Sequence, residues 1–507
     1  MKLKSKLKLL PSALALASLC ACDPAPASGP PPKWVASTDS FTPGGGSGVA
    51  SVASAGSDAA PSGAQLAERY RGVAHRIVEY AHADRGAYDK LATLTDTIGH
   101  RLAGSPELER AIEWAAQAMK DDGMTVRTEP VKVPHWVRGA ESAAIVAPTA
   151  RALHVLGLGG SVSTPKGGVT APLVVVHDWA ELAANKDAVK GAIVLFDVAM
   201  PAWAEATGSG YDKVVGYRFG APVAASKLGA AAILMRSVTA HSLSTPHTGA
   251  TGYSDDVPKI AAAAVTVEDA ELLDRLAKRG PVTVHLDMTE QQLPDADSFN
   301  VIGEWPGTER PDEIVVIGGH IDSWDVGQGA HDDGAGICIA METLRVMKQL
   351  GLEPRRTIRA VLFVNEENGT RGAKAYAEQH KDELGKTVFA LESDSGGFAP
   401  RGFGVSHADA AASARARDRV AGVATLLGAI RATHVQDDGG GTDIAPMKSA
   451  GVPQIGLWVD GRTYFDIHHT DADTLDKVNP QELADDVAAV AVLAYVAADM
   501  PGRIDGP

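Results

Sequence analysis

The stretch IVVIGGHIDSWDVGQGAHDDG, residues 314–334, carries the reading that decides the fold. Its first four residues are β-branched and apolar without interruption and run into His320 and Asp322. That is a strand-like apolar run leading into polar groups that could bind a cation. A Gly-rich turn beginning at Gly327 then delivers His331, Asp332, Asp333 and Gly334, and a helical pattern continues from there through Leu344. Glycine in such a turn lets backbone and carboxylate come close to a bound ion.

The same grammar recurs downstream. Residues 358–364 lead into Glu366 and Glu367, residues 388–391 into Glu392 and Asp394, and residues 453–459 precede a loop carrying His468 and His469. Cation-binding groups gathered at the carboxyl ends of strands are what an open α/β sheet offers at its binding edge. Upstream, helical periodicity begins near Gln65 and returns over residues 111–119, an amphipathic pattern suited to covering a sheet. Short apolar runs at 173–176 and 192–196 alternate with Ala-rich helical stretches such as 221–228.

With 507 residues the chain exceeds what one core usually fills, which predicts two compact domains and an appendage. Hydrophobic residues make up 45% and charged residues 22%, the composition of a soluble globular protein rather than a disordered one. A net charge of −16 makes nucleic acid and anionic membrane surfaces poor partners. It suits a chain that collects cations, and equally one kept soluble by surface acids.

The appendage is N-terminal. A basic run over residues 2–8, an apolar segment over 9–19 and small residues around Ala21 read as an export signal, too short to span a bilayer stably. Residues 19–22, Leu-Cys-Ala-Cys, resemble a bacterial lipobox, in which Cys22 would be acylated and become the mature N-terminus. Cys20 departs from that pattern, and ordinary cleavage near Ala21 is the alternative. The expected product is an exported protein, either a membrane-anchored lipoprotein or a periplasmic or secreted one. With Cys22 acylated, Cys338 has no thiol partner within the chain and reads as a packing residue in an apolar helix. Residues 23–63 are Ala, Pro, Gly and Ser with few large apolar groups, the composition of a flexible tether.

The polar groups at the strand ends meet the needs of metal-assisted hydrolysis: a carboxylate bridging two ions, terminal His and carboxylate ligands, and a base that is not a ligand. Zinc accepts imidazole nitrogen and carboxylate oxygen and keeps a position open for water in catalytic sites. We assign His320 and Asp394 to one ion, Glu367 and His469 to the other, and Asp332 as the bridge. Asp322, two residues after His320, is expected to accept the proton of the second imidazole nitrogen. Glu366 is left as the general base.

These motifs resemble the co-catalytic dizinc aminopeptidase and carboxypeptidase family. The matching segments are residues 319–330, 332–334, 366–367, 392–394, 441–443, 450–453, 464–465, 468–470 and 473–474, within a resemblance running from about Leu91 to the C-terminus. The resemblance implies two Zn2+ ions held by the five ligands above, Glu366 as base, and action on dipeptides or short peptides with a free terminus. It favours His469 over His468, because the family's ligand is the histidine followed by Ser or Thr. Residues 137–292, with Gly216-Tyr217-Arg218, residues 236–238 and residues 244–249, resemble the protease-associated insert of one subfamily. Such an insert splits the peptidase domain into 64–136 and 293–500 and commonly walls the cleft or builds a homodimer. The fold expected is α/β, a mixed sheet with helices on both faces, interrupted by a β-rich insert. His331 stands where relatives often have an apolar residue, and Asn368 where Gln is frequent.

Alternatives stay open: a broader aminopeptidase, a metal-free receptor or binding module, which would show gaps in the ligand set, or a glutaminyl cyclase, which would lack the insert. Several residues have plainer readings. His331 and His468 are neighbours of the site, His247 a surface-loop histidine, and Arg355 with Arg356 a solvated turn ahead of a strand. The run 439–443 is either a substrate pocket or a Gly-rich turn.

Overall fold

Residues 314–317 are apolar at every position because both faces of their strand are covered. The computed structural model describes residues 60–205 and 208–507, so the export signal, Cys22 and nearly all of the 23–63 tether lie outside the described residues. In it the strand Arg310–His320 sits inside an eight-stranded mixed sheet. Val315 and Ile317 enter a large core on one face, while Ile314 and Val316 enter a smaller one on the other. That division follows from the two-residue side-chain period of a strand.

Four central strands, Arg356–Phe363, Arg310–His320, Thr387–Glu392 and Gln454–Val459, lie side by side in that order and are mutually parallel. Antiparallel neighbours flank them: Gln291–Trp305 with Thr125–Val137 on one side, and Pro400–Ser406 with His434–Asp437 at the other edge. From Arg310–His320 the chain passes through helix Ala335–Gln349 to the neighbour on one side. It then passes through helix Arg371–Gln379 to the neighbour on the other. The strand order therefore reverses at His320, the place where open α/β sheets leave a crevice for ligands.

Helices Gly63–Ala83, Gly86–Thr97, Pro106–Asp121, Ala335–Gln349, Ala410–Ala424 and Pro480–Asp499 supply the large core. The first begins where Ser62 and Gln65 form a reciprocal capping box, so helix starts immediately after the low-complexity segment. Ala373 and Tyr376 of Arg371–Gln379 cover the opposite face. Pro480–Asp499 is buried nearly all round, which is why its apolar pattern shows little one-sidedness. No described helix is long and apolar enough to cross a membrane. Cys338 is fully buried and free, as a packing residue would be.

One basic pair reads differently in three dimensions. Arg356 is not in a solvated turn but fully buried. Its guanidinium pairs with Glu313 at 2.5 Å and donates to the carbonyls of Ala497, Met500 and Gly502. The carbonyls at the end of Pro480–Asp499 have no partners within the helix, and a buried cation satisfies them.

Strands Thr125–Val137 and Gln291–Trp305 form a long antiparallel ribbon whose last pair is Val137↔Gln291. Between those two residues the chain builds a second eight-stranded sheet, ordered Arg151–Leu153, Glu141–Ala147, Thr283–Met288, Val169–Val176, Ile193–Phe196, Ala232–Arg236, Ala261–Val265 and Val155–Gly157. The run from Val169–Val176 to Ala261–Val265 is parallel. Parallel neighbours need crossovers, so this segment also carries helices, including Tyr211–Lys227 and Val267–Ala277. The expected helical stretch 221–228 is the C-terminal part of Tyr211–Lys227, whose earlier turns carry Gly216 and Gly220 and show no helical pattern.

Candidate metal centre

The polar residues that close the parallel strands meet in one place. His320 Nε2 lies 3.3 Å from Asp332 Oδ1 and 3.5 Å from Asp394 Oδ1. His469 Nε2 lies 3.2 Å from Asp332 Oδ2 and 3.2 Å from Glu367 Oε2. Each oxygen of Asp332 thus faces a different imidazole, and each of those imidazoles a different second carboxylate. His320, Asp332, Glu367 and His469 are buried, and Asp394 keeps a partly exposed side chain. His468 stacks on His469 with ring centroids 3.5 Å apart and brings its Nε2 to 3.6 Å from Asp332 Oδ2. A third imidazole therefore belongs to the same cluster.

Backbone carbonyls set both rings. His320 Nδ1 is 3.0 Å from the carbonyl of Asp322, and His469 Nδ1 is 3.3 Å from that of Thr248. A carbonyl only accepts, so each Nδ1 carries a proton and each Nε2 is the nitrogen turned toward the carboxylates. The Asp322 carboxylate does not take the role expected of it, since it stands 3.8 Å from His320 Nδ1. It accepts instead from the backbone N–H of Glu366 at 3.1 Å and of Glu367 at 3.4 Å. A fixed turn follows, which presents the two adjacent glutamates to the centre. The Glu366 side chain is left beside the ligand cluster, its carboxyl lifted by burial to about 7, with Asp394, Asp322 and Asp332 adding to the rise and His320 opposing it.

Other supporting residues were not foreseen. Arg101, fully buried, donates from Nε to Ile321 O at 2.6 Å, from Nη1 to Gln328 O at 2.9 Å and from Nη2 to Gly329 O at 3.0 Å. One guanidinium therefore clips both ends of the loop between His320 and Asp332. Asp473 accepts from the backbone N–H of His331 at 2.8 Å and of Asp332 at 3.1 Å, and Asp333 from that of His320 at 3.0 Å. Nothing in a sequence distinguishes a buried arginine from a surface one. Asp473 sat within a quoted motif but had no role there.

The run 439–443 also acquires a purpose. The N–H groups of Asp443 and Ile444 donate to Glu392 Oε2, and a Cβ at Gly441 would stand 2.2 Å from the Glu392 carboxyl carbon. Glycine is what lets that turn close on the acid. His331 behaves as a neighbour: its Nδ1 accepts from Gly397 N–H and its ring stacks on Phe398.

Charge decides what the centre can hold. Asp322, Asp332, Asp333, Glu367, Glu392, Asp443 and Asp473 are all buried here with few imidazoles to balance them. Burial lifts Glu367 to about 8, with Asp332 adding to it, and Glu392 to about 8, with Asp394 adding to it. Burial alone would lower His469, but Glu367 and Asp332 outweigh it and raise the ring to about 9. Asp332 resists its own burial, held well below the carboxylate range by His320 and His469, and its Oδ2 has no hydrogen-bond partner. Buried acids in such excess are tolerated only when protonated or paired with cations. Imidazole nitrogen and carboxylate oxygen on one shared aspartate are a donor set that suits a divalent ion such as zinc.

The second sheet reaches this centre. Thr248 N–H donates to the carbonyl of His469 at 3.1 Å, and Tyr211 stacks on Phe465 at 4.7 Å and meets the edge of His468 at 5.4 Å. His247, expected on a surface loop, is 2% exposed and lies against the loop carrying His468 and His469. The close packing of residues 245–250 against 464–469 is long-range, and nothing local signals it.

Comparison with known proteins agrees with this geometry. The model of Peptidase family M28 matches residues 300–494. Carboxypeptidase Q of Mus musculus is 42% identical over 436 residues, covering 85% of this chain and 90% of that protein. The Homo sapiens carboxypeptidase Q is 41% identical over 84% of this chain and 88% of its own length. A peptidase M28 precursor from Shewanella amazonensis SB2B superposes with a TM-score of 0.80 at 35% identity, over 85% of this chain and 97% of that one. A zinc aminopeptidase from Bacillus subtilis shares the fold, with a TM-score of 0.60 at 22% identity over 82% of this chain and 95% of that one. With similarity extending over nearly the whole of its relatives, the chain belongs to peptidase family M28 and is a metal-dependent exopeptidase.

Proposed function

We propose that two zinc ions occupy the centre, His320 and Asp394 serving one, Glu367 and His469 the other, and Asp332 both. We propose also that the enzyme cleaves dipeptides or short peptides with a free terminus. The observation that carries this reading is the division of Asp332: Oδ1 faces the His320 and Asp394 pair, Oδ2 the His469 and Glu367 pair. When bound, such ions lower the pKa of water and polarise the carbonyl to be attacked.

The chain's own residues do the rest. Glu366 takes a proton from the attacking water and delivers it to the departing amine, a task suited to a carboxyl lifted to about 7. Asp322 holds the backbone of the Glu366 and Glu367 turn so that base and ligand keep separate roles. The carbonyls at both Nδ1 atoms keep the imidazoles in one tautomer, and Arg101 with Asp473 keeps Asp332 in place.

Around this centre we assign 64–136 and 293–500 to the peptidase domain and 137–292 to an insert of protease-associated type, with residues 1–22 an export signal and 23–63 a tether. Cys22 is the proposed acylation site, giving an anchored lipoprotein, and intact-mass analysis of the mature N-terminus tests it against cleavage at Ala21. The activity is tested with unblocked dipeptides, N-acetylated dipeptides and longer peptides, before and after chelation and zinc return. Metal-dependent release confined to unblocked dipeptides supports a dipeptidase. Stepwise release from longer peptides makes it a broader aminopeptidase, and no turnover with metal bound and the fold intact contradicts the reading.

A further inference from the structure

Two chain crossings join the second sheet to the first, and each carries an acid. Past the last ribbon pair, Val137↔Gln291, the strands pair again at Glu141↔Met288, with Thr289 N–H donating to Ala140 O between them. Glu141 opens the second sheet, and Glu290 stands on the return crossing. Glu290 is buried and the Glu141 side chain nearly so. A Cβ at Gly157 would stand 2.3 Å from Glu141 Oε1 and 3.0 Å from Glu290 Oε1, so both carboxyls converge on one glycine. They also meet each other, and two carboxyl groups hydrogen-bond only when one holds a proton. No described N–H or hydroxyl of another residue reaches either oxygen of Glu290. The charged and titratable groups facing Glu290 are Glu141, the Arg138 guanidinium with Asp325 bound beyond it, and the Tyr253 phenol. Burial lifts Glu290 to about 8, with Glu141 adding to the rise and Arg138 opposing it.

Arg138 ties this pair to the metal centre. Its Nη1 donates to Glu141 Oε1 at 2.9 Å and to Gly157 O at 2.7 Å, while Nε and Nη2 hold the Asp325 carboxylate at 2.8 and 2.7 Å. Asp325 belongs to the loop between His320 and Asp332, one residue after Trp324, whose ring centroid lies 5.6 Å from that of His469. A second route is as short. Gly157 N–H donates to Glu141 Oε2 at 2.9 Å, and Gly157 O accepts from Thr248 Oγ1 at 2.7 Å. Thr248 O in turn meets His469 Nδ1. A change of charge at the crossing therefore reaches, through Gly157 and Thr248, the contact that orients His469.

We propose that Glu141 and Glu290 form a proton-held latch: while they share one proton the second sheet stays seated on the metal centre, and loss of that proton releases it. The released state sets two like charges against each other in a buried crossing. A carboxyl whose folded-state value lies above the ordinary range of about 4.3 favours the closed form while protonated. The latch is therefore closed below about pH 8 and weakens as pH rises beyond it. Turnover is one readout of the latch and rests on the peptidase reading above; exchange at the crossing does not.

The test follows amide hydrogen exchange in segments 137–142 and 286–292 of the zinc-loaded full chain at pH 7 and pH 9, for wild type, Glu290→Gln and Glu141→Gln. Dividing each wild-type rate by the variant's at the same pH cancels the intrinsic pH dependence of exchange. E290Q keeps a donor toward Glu141 that does not titrate, and E141Q removes the charge that faces Glu290. The ratio of wild type to E290Q is expected to rise about tenfold from pH 7 to pH 9, the linkage of one proton lost near pH 8, and the ratio to E141Q should rise with it. Over the same range kcat/KM on leucyl-alanine should fall more steeply in wild type than in E290Q, with bound zinc unchanged. Ratios that stay constant for both variants overturn the latch. Rising ratios with identical pH–rate profiles also overturn it, because the crossing would then not reach the centre. Absence of turnover by wild type contradicts the peptidase reading alone, and the exchange ratios still decide the latch.

Discussion

At the scale of single residues, the two adjacent glutamates show how environment separates roles. Glu367 points at His469, whereas Glu366 remains beside the ligand cluster on a turn pinned by Asp322. Replacing Glu366 with Gln is expected to lower kcat by about 10²- to 10⁴-fold with zinc content unchanged, as elemental analysis beside steady-state kinetics would check. Loss of metal in that variant would make Glu366 a ligand. Burial raises the Glu367 carboxyl, and Glu367 with Asp332 raises the His469 ring against its burial, so this pair holds proton at neutral pH before metal arrives. Loading must therefore expel protons, and affinity must strengthen as pH rises. Calorimetry in buffers of different ionisation enthalpy reads the proton count, and pH-independent loading with no release would contradict it.

At the scale of elements, strands with both faces covered were legible because nothing else makes so unbroken an apolar run, and their polar ends located the centre. What remained hidden depends on contacts between distant segments. Arg101 bonds the loop after His320, Arg356 bonds carbonyls near the C-terminus, and His247 packs against the His469 loop. None of these has a local signature in residue type or spacing. The role given to Asp322 fell on the wrong group, since its backbone carbonyl rather than its carboxylate meets His320. Loop 321–331 is predicted to depend on Arg101. An Arg101→Met variant should lose about 3 kcal/mol of stability, because three buried carbonyls lose their donor. It should also bind zinc about 10- to 100-fold more weakly, as removal of a supporting contact does. Denaturant melts and competition with a chelating dye measure both, and unchanged zinc affinity would separate the clip from the centre.

At the scale of the whole molecule, metal and fold are linked through charge. Glu366, Glu367 and Glu392 have folded-state values of about 7, 8 and 8, chiefly from burial, above the ordinary range of about 4.3. A carboxyl raised in the folded state favours folding while it is protonated, and that advantage is lost as pH rises from the unfolded value through the folded one. The metal-free protein is therefore expected to lose thermal stability between about pH 5 and pH 8, and zinc to flatten that slope by compensating the ionised acids. Melting curves across this range, with and without zinc, carry the test, and parallel slopes would contradict it. The second sheet, entered and left through the Val137↔Gln291 pair, makes the cleft a product of both halves of the chain. The measurement that bears most directly on the central claim is a zinc titration of the chelated enzyme with bound metal and dipeptide hydrolysis read together, for wild type and Asp332→Asn. Shared use of Asp332 predicts that full activity needs two zinc ions per chain and that D332N loses tight binding of both along with turnover; full activity at a single zinc, or two tightly held ions and wild-type turnover in D332N, would contradict it.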